Sequence, residues 1–323
     1  IELLDRYISV LLRLPVADVP LADFQGVAVL LLVLPLAWVL LPRGWPARRV
    51  AVLGVIAIVS WKPAAPPSGC FDAWVLDVGQ GLAVAVQTQD DVMLYDTGIA
   101  WRSGTSAAEQ SIVPFLRSRG IDRIEWLVIS HDDLDHSGGL EAVRDAVEVG
   151  TVLAGETLRA AADEHCRAGQ RWRSGGVAFD VLHPQQEGRS AGNASSCVLR
   201  VSAGPYNLLL TGDIEATSEY RLLEDGARLA SRVAVVPHHG SMTSSTAPFV
   251  TAVSPDYAIV SAGFANRGGF PKPRIVERWQ RAGAQVLSTA TSGAVHFRMC
   301  AGEGVAYMRE EREQSRRFWY AGT

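Results

Sequence analysis

The sequence has no surplus of positive charge. Its 30 Lys and Arg face 34 Asp and Glu, a formal net charge of −4 over 323 residues. That excludes the global electrostatic footprint of a nucleic-acid-coating protein, so a polyanionic partner would need a local basic patch or a bound cation. Cysteine is scarce. Cys70, Cys166, Cys197 and Cys300 fall in no CxxC or related metal spacing and give no readable disulfide framework. They are expected to be buried as small hydrophobes. No solenoid-type repeat occurs. The start shows no n-region, h-region and cleavage pattern, and the chain opens on Ile1 rather than Met. It is therefore expected to be a piece of a longer protein.

Apolar material is plentiful. The chain is 48% hydrophobic with nine Trp, enough for at least one large core. Residues 24–41, "FQGVAVLLLVLPLAWVLL", carry no charge, and a helix needs about 17–25 apolar residues to cross a bilayer. A membrane span is expected there, with Pro35 tolerated in lipid and Trp38 suited to the interfacial end. The shorter run "VAVLGVIAIVSW" (50–61), flanked by Arg48, Arg49 and Lys62, is expected to form a second span. The intervening loop carries Arg43, Arg48 and Arg49 and no acid, which puts it in the cytoplasm and everything after Trp61 outside. "KPAAPPSG" (62–69) reads as a semi-rigid linker. The expected division is a membrane region over 1–62, a linker over 63–70, a folded domain over 71–308 and a charged tail over 309–323.

From Phe71 onward short β-type runs follow one another: 73–78, 82–88, 92–97, 126–130, 177–182, 197–202, 206–212, 233–237, 257–262 and 285–289. Helical patterns interleave near 107–119, 139–147, 157–167, 214–225 and 272–282. This mixture predicts a layered α/β domain with helices covering sheet faces. "QTQDDV" between the second and third runs reads as a hairpin.

One stretch concentrates chemistry. "VISHDDLDHSGG" (128–139) ends an apolar strand and then sets His131, Asp133, Asp135 and His136 on a tight loop before a glycine-led helix. Strand ends are where open α/β sheets place their sites. The spacing suits two adjacent metal centres, with a solvated capping loop as the plainer alternative. Two further strands end alike: "NLLLTGD" in Asp213 and "VAVVPHHGS" in His238 and His239. Alone, Asp213 reads equally well as a helix N-cap. Four of the seven histidines nevertheless fall in these two short clusters, which argues against chance placement.

"SHDDLDHSGG", "LLLTGD" and "PHHGS", preceded by "LYDTG", resemble the metallo-β-lactamase-like hydrolase superfamily and its HxHxDH signature. "LDVGQG" (76–81), "FPKP…GAQVLSTATSGAVHF" (270–297) and the upstream apolar runs narrow the resemblance to the C-terminal part of ComEC-type DNA-internalisation competence proteins. The resemblance implies a four-layer αββα sandwich and two divalent metal ions, manganese or zinc. His131 and Asp133 would bind the first metal. Asp135 and His136 would bind the second, Asp213 would bridge, and His238 would complete the second site, with His239 as the other candidate. Asp96 would brace the metal loop, and Asp77 would hold the glycine turn that includes Gly79 and Gly81. Two departures stand out: Asp133 replaces a histidine, and the superfamily's middle histidine has no match near 193–196. His183 is expected to be a core or loop residue.

Two metals of this kind stabilise both the attacking and the leaving oxygen of a displacement. The expected activity is therefore that of a nuclease, with Asp135 and Asp213 catalytic and His239 the leaving-group acid. Arg267, Lys272 and Arg274 are candidates for phosphate contacts, or else ordinary surface charge. Expected partners are non-specific DNA, single-stranded or duplex, the membrane, and the rest of a competence channel. The expected location is the inner membrane with the hydrolase domain on the extracytoplasmic side. A catalytically idle gate and a membrane-anchored hydrolase of small esters or lactams are the alternatives.

Overall fold

A computed structural model describes residues 27–42, 46–59, 62–155, 162–185 and 192–314. The chain divides into two compact units, Ile1–Ala64 with Pro114–Asp122, and Ala65–Val113 with Arg123–Thr323.

In the first unit, α1 (Val27–Leu40) and α2 (Arg48–Val59) form a helical hairpin. The Trp38 indole N–H donates to the Pro46 carbonyl across the turn at 3.0 Å, and Gly54 lies against the Pro35 ring. Leu34, Leu36, Leu40, Val50, Leu53 and Ile56 lie exposed. Among the described residues no helix is long and apolar enough to cross a membrane. The 14 residues of α1 reach about 21 Å, against a hydrocarbon core of ~30 Å. Residues 24–26, 60 and 61 of the two apolar runs, and Arg43 between them, lie outside the described residues.

The second unit holds two facing sheets. The first runs β15-β14-β1-β2-β3-β4-β5-β6 and the second β13-β12-β11-β10-β9-β8-β7. In the first, β1 (Cys70–Val75), β2 (Val84–Gln87) and β3 (Val92–Tyr95) form an antiparallel meander. Then β4 (Arg123–Ile129) and β5 (Glu148–Ala154) continue parallel to β3, and the two-residue β6 (Glu164–His165) closes that edge. β14 (Val295–Cys300) and β15 (Gly304–Glu310) return to pair beside β1. In the second sheet, β7 (Arg171–Ser174), β8 (Val177–His183), β9 (Val198–Ala203) and β10 (Tyr206–Leu210) are antiparallel, while β11 (Val233–Val235), β12 (Tyr257–Val260) and β13 (Gln285–Ser288) run parallel to β10.

Strand periodicity of two sorts the side chains. Phe71, Ala73 and Val75 of β1 meet Leu199, Val201, Leu208 and Leu210 in the core between the sheets. Leu209, Ala234 and Ala258 face the other way, against α4 (Ala216–Glu224), α5 (Ala247–Val253) and α6 (Pro273–Arg281), whose Ile275 and Trp279 bury one helical stripe. On the first sheet α3 (Leu140–Ala146) buries Leu140 and Val143.

Three expectations are corrected. The cysteines are not free: Cys70 pairs with Cys300 and Cys166 with Cys197. The β1–β14 register sets Cys70 opposite Cys300, a juxtaposition no spacing rule anticipates across 230 residues. The helix expected over 157–167 is absent from its described part, where Glu164–His165 pairs with β5 instead; residues 157–161 lie outside the described residues. Finally, β5, β7, β14 and β15 escaped the strand reading, because their outward faces carry Glu, Arg or His and interrupt the apolar pattern.

Candidate metal centre

Asp96 follows β3, and His131 follows the neighbouring parallel β4. Asp213 follows β10, the two histidines follow β11, and Ser261 follows β12. All six residues lie past the carboxyl ends of five strands, and the two sheets are stitched together there. The Cys197 N–H donates to the Ser130 carbonyl at 3.0 Å, and the Tyr95 hydroxyl donates to the Cys197 carbonyl at 2.6 Å.

The metal loop is held from behind by Asp96. Its Oδ1 accepts the Ser130 N–H at 2.6 Å, and its Oδ2 accepts both the Ser130 hydroxyl at 2.8 Å and the His136 Nδ1–H at 2.7 Å. The glycine turn supports the loop from the side. The Gly79 N–H donates to Asp77 Oδ1 at 3.3 Å, and Arg312 pairs with Asp77 Oδ2 at 3.0 Å. A Cβ on Gly81 would lie 2.3 Å from the Asp135 carbonyl oxygen, so only glycine lets the turn approach the loop this closely.

In front, side chains converge. His131, His136 and Asp213 offer ligand atoms all within 4.8 Å of one another, and so do Asp135, His136 and His239. His136 Nε2 lies 3.2 Å from Asp213 Oδ1 and 3.3 Å from His239 Nε2. His239 Nε2 lies 3.3 Å from Asp135 Oδ2 and 3.5 Å from Asp213 Oδ2. The half-exposed Asp133 reaches His131 Nε2 at 3.4 Å.

Each of these three imidazoles has its Nδ1 turned away from the cluster. His136 Nδ1 faces Asp96, His239 Nδ1 donates to the Ser261 carbonyl at 2.8 Å, and His131 Nδ1 meets the Ser130 hydroxyl at 2.9 Å. Their Nε2 atoms therefore face inward, as outer partners of metal-binding histidines arrange. His131 Nε2 is buried and has no hydrogen-bond partner. Among the described residues no Lys or Arg pairs with Asp135 or Asp213. Several acceptors in one buried pocket with no fixed cation make a donor set that fits divalent metal, with ligand spacings compatible with direct bonds of about 2.0–2.2 Å.

The electrostatics agree. Burial works against charge on Asp135, but the His239 hydrogen bond and the nearby His136 outweigh it and hold the carboxyl at about 2. Asp213 is likewise held well below the usual carboxylate range against its burial, by His136 and His239. In return these carboxylates, with Asp96, raise His136 above the ordinary histidine value despite burial, and Asp213 and Asp135 do the same for His239. Protons here occupy the role a metal would take over.

The adjacent histidines are told apart by backbone. His238 (φ 50°), His239 (φ 53°) and Gly240 (φ 80°) are all left-handed, an uncommon conformation for three successive residues. It turns His239 into the cluster and leaves His238 at the rim. His238 Nε2 is 3.8 Å from Asp213, and its Nδ1 is 3.3 Å from Glu215 and 3.2 Å from the Thr243 hydroxyl. The expected order is thus exchanged, with His239 in the ligand group and His238 outside it. Sequence reading missed Glu215, although it closes the same "TGDIE" stretch, and it missed Ser130 and Ser261.

Of the phosphate candidates, Lys272 sits closest in the fold: its N–H donates to the Gly240 carbonyl at 3.0 Å. Arg267 is exposed on the preceding loop. Arg274 lines a cleft with Arg278 and Arg281 between α5 and α6 and is not brought to the cluster. His183 is buried and donates to the Ala194 carbonyl at 3.0 Å, and burial lowers its pKa. The 193–196 stretch, where the resemblance puts a middle histidine and none stands, contains Ser196, whose hydroxyl accepts the Asp213 N–H at 3.1 Å.

A family profile described as the metallo-beta-lactamase superfamily matches residues 76–263. Competence protein ComA of Neisseria gonorrhoeae is 41% identical over 282 residues, 87% of this chain and 39% of that protein. Recombination protein 2 of Haemophilus influenzae is 39% identical over 252 residues, 76% of this chain and 30% of that protein. ComE operon protein 3 of Bacillus subtilis is 29% identical over 251 residues, 69% of this chain and 32% of that protein. The chain therefore spans well under half the length of these curated relatives.

Proposed function

The chain belongs to the metallo-β-lactamase superfamily, and from that premise we propose that it is a two-metal phosphodiester hydrolase. It would act as the nuclease domain of a membrane DNA-uptake channel, degrading one strand of incoming DNA during natural transformation. The observation that carries this reading is the cluster of buried His136, Asp213 and His239 with the partly buried Asp135, beside a buried His131 Nε2 that makes no hydrogen bond and whose ion-pair neighbour is Asp133. The names of the relatives supply the competence context.

His131 and Asp133 would hold one divalent ion, Mn or Zn. Asp135, His136 and His239 would hold the other, with Asp213 between them. Such a pair supplies Lewis acidity at the attacking and leaving oxygens of an in-line displacement. Asp96 and Ser261 fix the tautomers and aim the imidazoles. His239 is engaged at both nitrogens, so the leaving-group proton is assigned instead to His238, delivered from Nε2 at the rim while Glu215 and Thr243 orient the ring. Lys272, whose Nζ donates to the Gly268 carbonyl at 2.7 Å, would have to leave that bond to meet a substrate phosphate.

Two disulfides in the hydrolase unit support an extracytoplasmic location, because such bonds persist in oxidising compartments. The exposed apolar side chains of the α1–α2 hairpin support a membrane seat for the first unit.

The test is cleavage of labelled single-stranded and duplex DNA by the full chain in detergent with Mn²⁺ or Zn²⁺, repeated with Asp135→Ala. Wild-type cleavage and a loss of at least about a hundredfold in the variant are expected. Cleavage by neither protein, or equal cleavage by both, defeats the reading. A second reading, a catalytically idle metal-binding gate, is favoured by one observation: the 193–196 stretch, where the resemblance puts the middle histidine of the first site, holds no histidine. Stoichiometric metal binding without turnover on DNA or on small esters and lactams would select it.

A further inference from the structure

On the second sheet the covering helices stop short. Val198, Leu209 and Leu182 pack against the helix-side core, but beyond them no described residue gives apolar cover to the outer faces of β7, β8 and β9. Register then decides what lies there. Arg171 of β7 stands opposite Asp180 of β8, which stands opposite Arg200 of β9. In the next outward row Arg173 stands opposite Ala178, which stands opposite Ser202, which in turn faces Asn207 of β10. The small Ala178 leaves a hollow between two long rows, and Arg228 closes it from the loop after α4. The result is a cleft of about 640 Å³ with four guanidinium side chains and one acid, Asp180, among its lining residues.

Asp180 is shared between Arg171 at 2.8 Å and Arg200 at 3.0 Å, so three positive charges remain in excess. Three buried polar groups among the lining residues have no partner: Trp172 Nε1, Arg200 Nε and the hydroxyl of Ser202. Ser202 is only 9% exposed. Buried groups of this kind are normally satisfied, and here the missing partner must bring acceptor oxygens. Planar guanidinium forks match the oxygens of a phosphate in particular.

We propose that this cleft is a second nucleic-acid site that grips the phosphodiester backbone of the strand outside the metal centre. The inference rests on the nuclease reading for the identity of the anion. The two sites lie toward opposite ends of β10 (Tyr206–Leu210), which rises about 13 Å at ~3.3 Å per residue before the turn that carries Asp213. That rise equals about four nucleotides at the ~3.4 Å spacing of a B-form strand. The cleft therefore acts only on substrates longer than this and has no part in the chemistry of a short diester.

The test uses the full chain in detergent and separates binding from cleavage. With EDTA present, a labelled 20-nucleotide single strand is titrated across a salt series against wild type, the double variant Arg171→Ala with Arg173→Ala, and Arg173→Lys. The double variant is expected to bind more weakly at every salt concentration, with a log–log salt slope shallower by about 1.4, two contacts at ~0.7 each, while Arg173→Lys stays near wild type. With Mn²⁺, hydrolysis of bis-p-nitrophenyl phosphate is expected to be equal in all three proteins, and KM for the 20-mer alone is expected to rise in the double variant. Unchanged 20-mer binding in the double variant overturns the proposal. So does arginine-dependent binding of anionic phosphatidylglycerol vesicles without binding of the 20-mer, which would make the cleft a lipid site. Failure of wild type to hydrolyse the small diester or DNA counts against the nuclease reading, whereas the salt slope measured in EDTA judges the cleft by itself.

Discussion

Two buried polar clusters in the same domain use the same residue types and solve their electrostatics differently. At the outer edge of the first sheet, Asp72 of β1 is fully buried and lies beside His296 and Tyr307. Arg298 meets both its carboxylate oxygens at 2.7 Å, the Tyr307 hydroxyl donates to it at 3.1 Å, and His296 stacks on Trp74 at 4.4 Å. At the strand ends, the buried Asp213 and the partly buried Asp135 lie among His131, His136 and His239, and no guanidinium arrives among the described residues. The first cluster carries its own cation and is closed. The second has carboxylates and inward-facing ring nitrogens but must take its positive charge from protons or from a metal. A buried acid–imidazole group therefore marks a cation site only when the fixed cation is missing.

The same substitution in each cluster should give opposite signatures, and the larger effect belongs to the metal centre. Asp213→Asn is expected to lower hydrolysis by at least about a hundredfold and to reduce bound Mn or Zn, because losing even an outer-shell partner of a metal ligand costs about 10–100-fold. Elemental analysis of the dialysed protein alongside a rate assay checks this. Asp72→Asn is expected to leave metal content untouched and to lower stability by about 3 kcal/mol, since it strands a guanidinium that its neighbours had neutralised. Arg298 is about a quarter exposed, so water relieves part of that cost. Urea midpoints of the two variants make the comparison, and loss of metal in Asp72→Asn would erase the distinction drawn here.

Next in size is the brace behind the metal loop. Asp96 touches no inward-facing ligand atom yet holds Ser130 and His136. Asp96→Asn keeps a residue that tolerates the observed φ of 59° and removes the charge. A fall in metal affinity of about tenfold to a hundredfold is expected, read by competition with a chromogenic chelator.

Which parts of this were legible beforehand follows from how local each cause is. His131, Asp135, His136 and Asp213 were legible because an apolar strand ending in ligand residues is a pattern within one short window. The choice between His238 and His239 was not, because it depends on three left-handed residues in succession, and nothing in "PHHGS" states their φ. The layered α/β fold could be read from strand and helix runs. The Cys70–Cys300 disulfide and β14 could not, since both depend on a strand from the last part of the chain pairing with β1. Arg298 and Asp72 lie 226 residues apart in sequence, so the closed cluster was equally invisible.

The closed cluster also makes a pH prediction. Burial opposes the charge on Asp72, but the Arg298 hydrogen bonds and the nearby His296 overcome it and hold the carboxyl at about 2. A depressed carboxylate contributes its stability above the unfolded value of about 3.9 and loses it as pH falls through the folded value. Wild-type stability should therefore decline between about pH 4 and pH 2 more steeply than that of Asp72→Asn, as read from urea midpoints at each pH. Parallel acid limbs would show that Asp72 is not what Arg298 stabilises.

The smallest effect is expected where the metal centre borrows a cation from outside itself. Arg312 pairs with Asp77 at 3.0 Å and donates to the Ala290 carbonyl at 3.0 Å, and both side chains of the pair are about a third exposed. Exposed ion pairs contribute about 0–1 kcal/mol. The Gly79 N–H still reaches Asp77 Oδ1 without Arg312, so the turn beneath Asp135 keeps its own hydrogen bond. Arg312→Ala is thus expected to lower stability by less than about 1 kcal/mol and to leave metal content as it was. A large loss of metal in this variant would mean that a guanidinium outside the ligand set helps to hold the site open, and the contrast between a closed cluster with its own cation and an open one without would have to be redrawn.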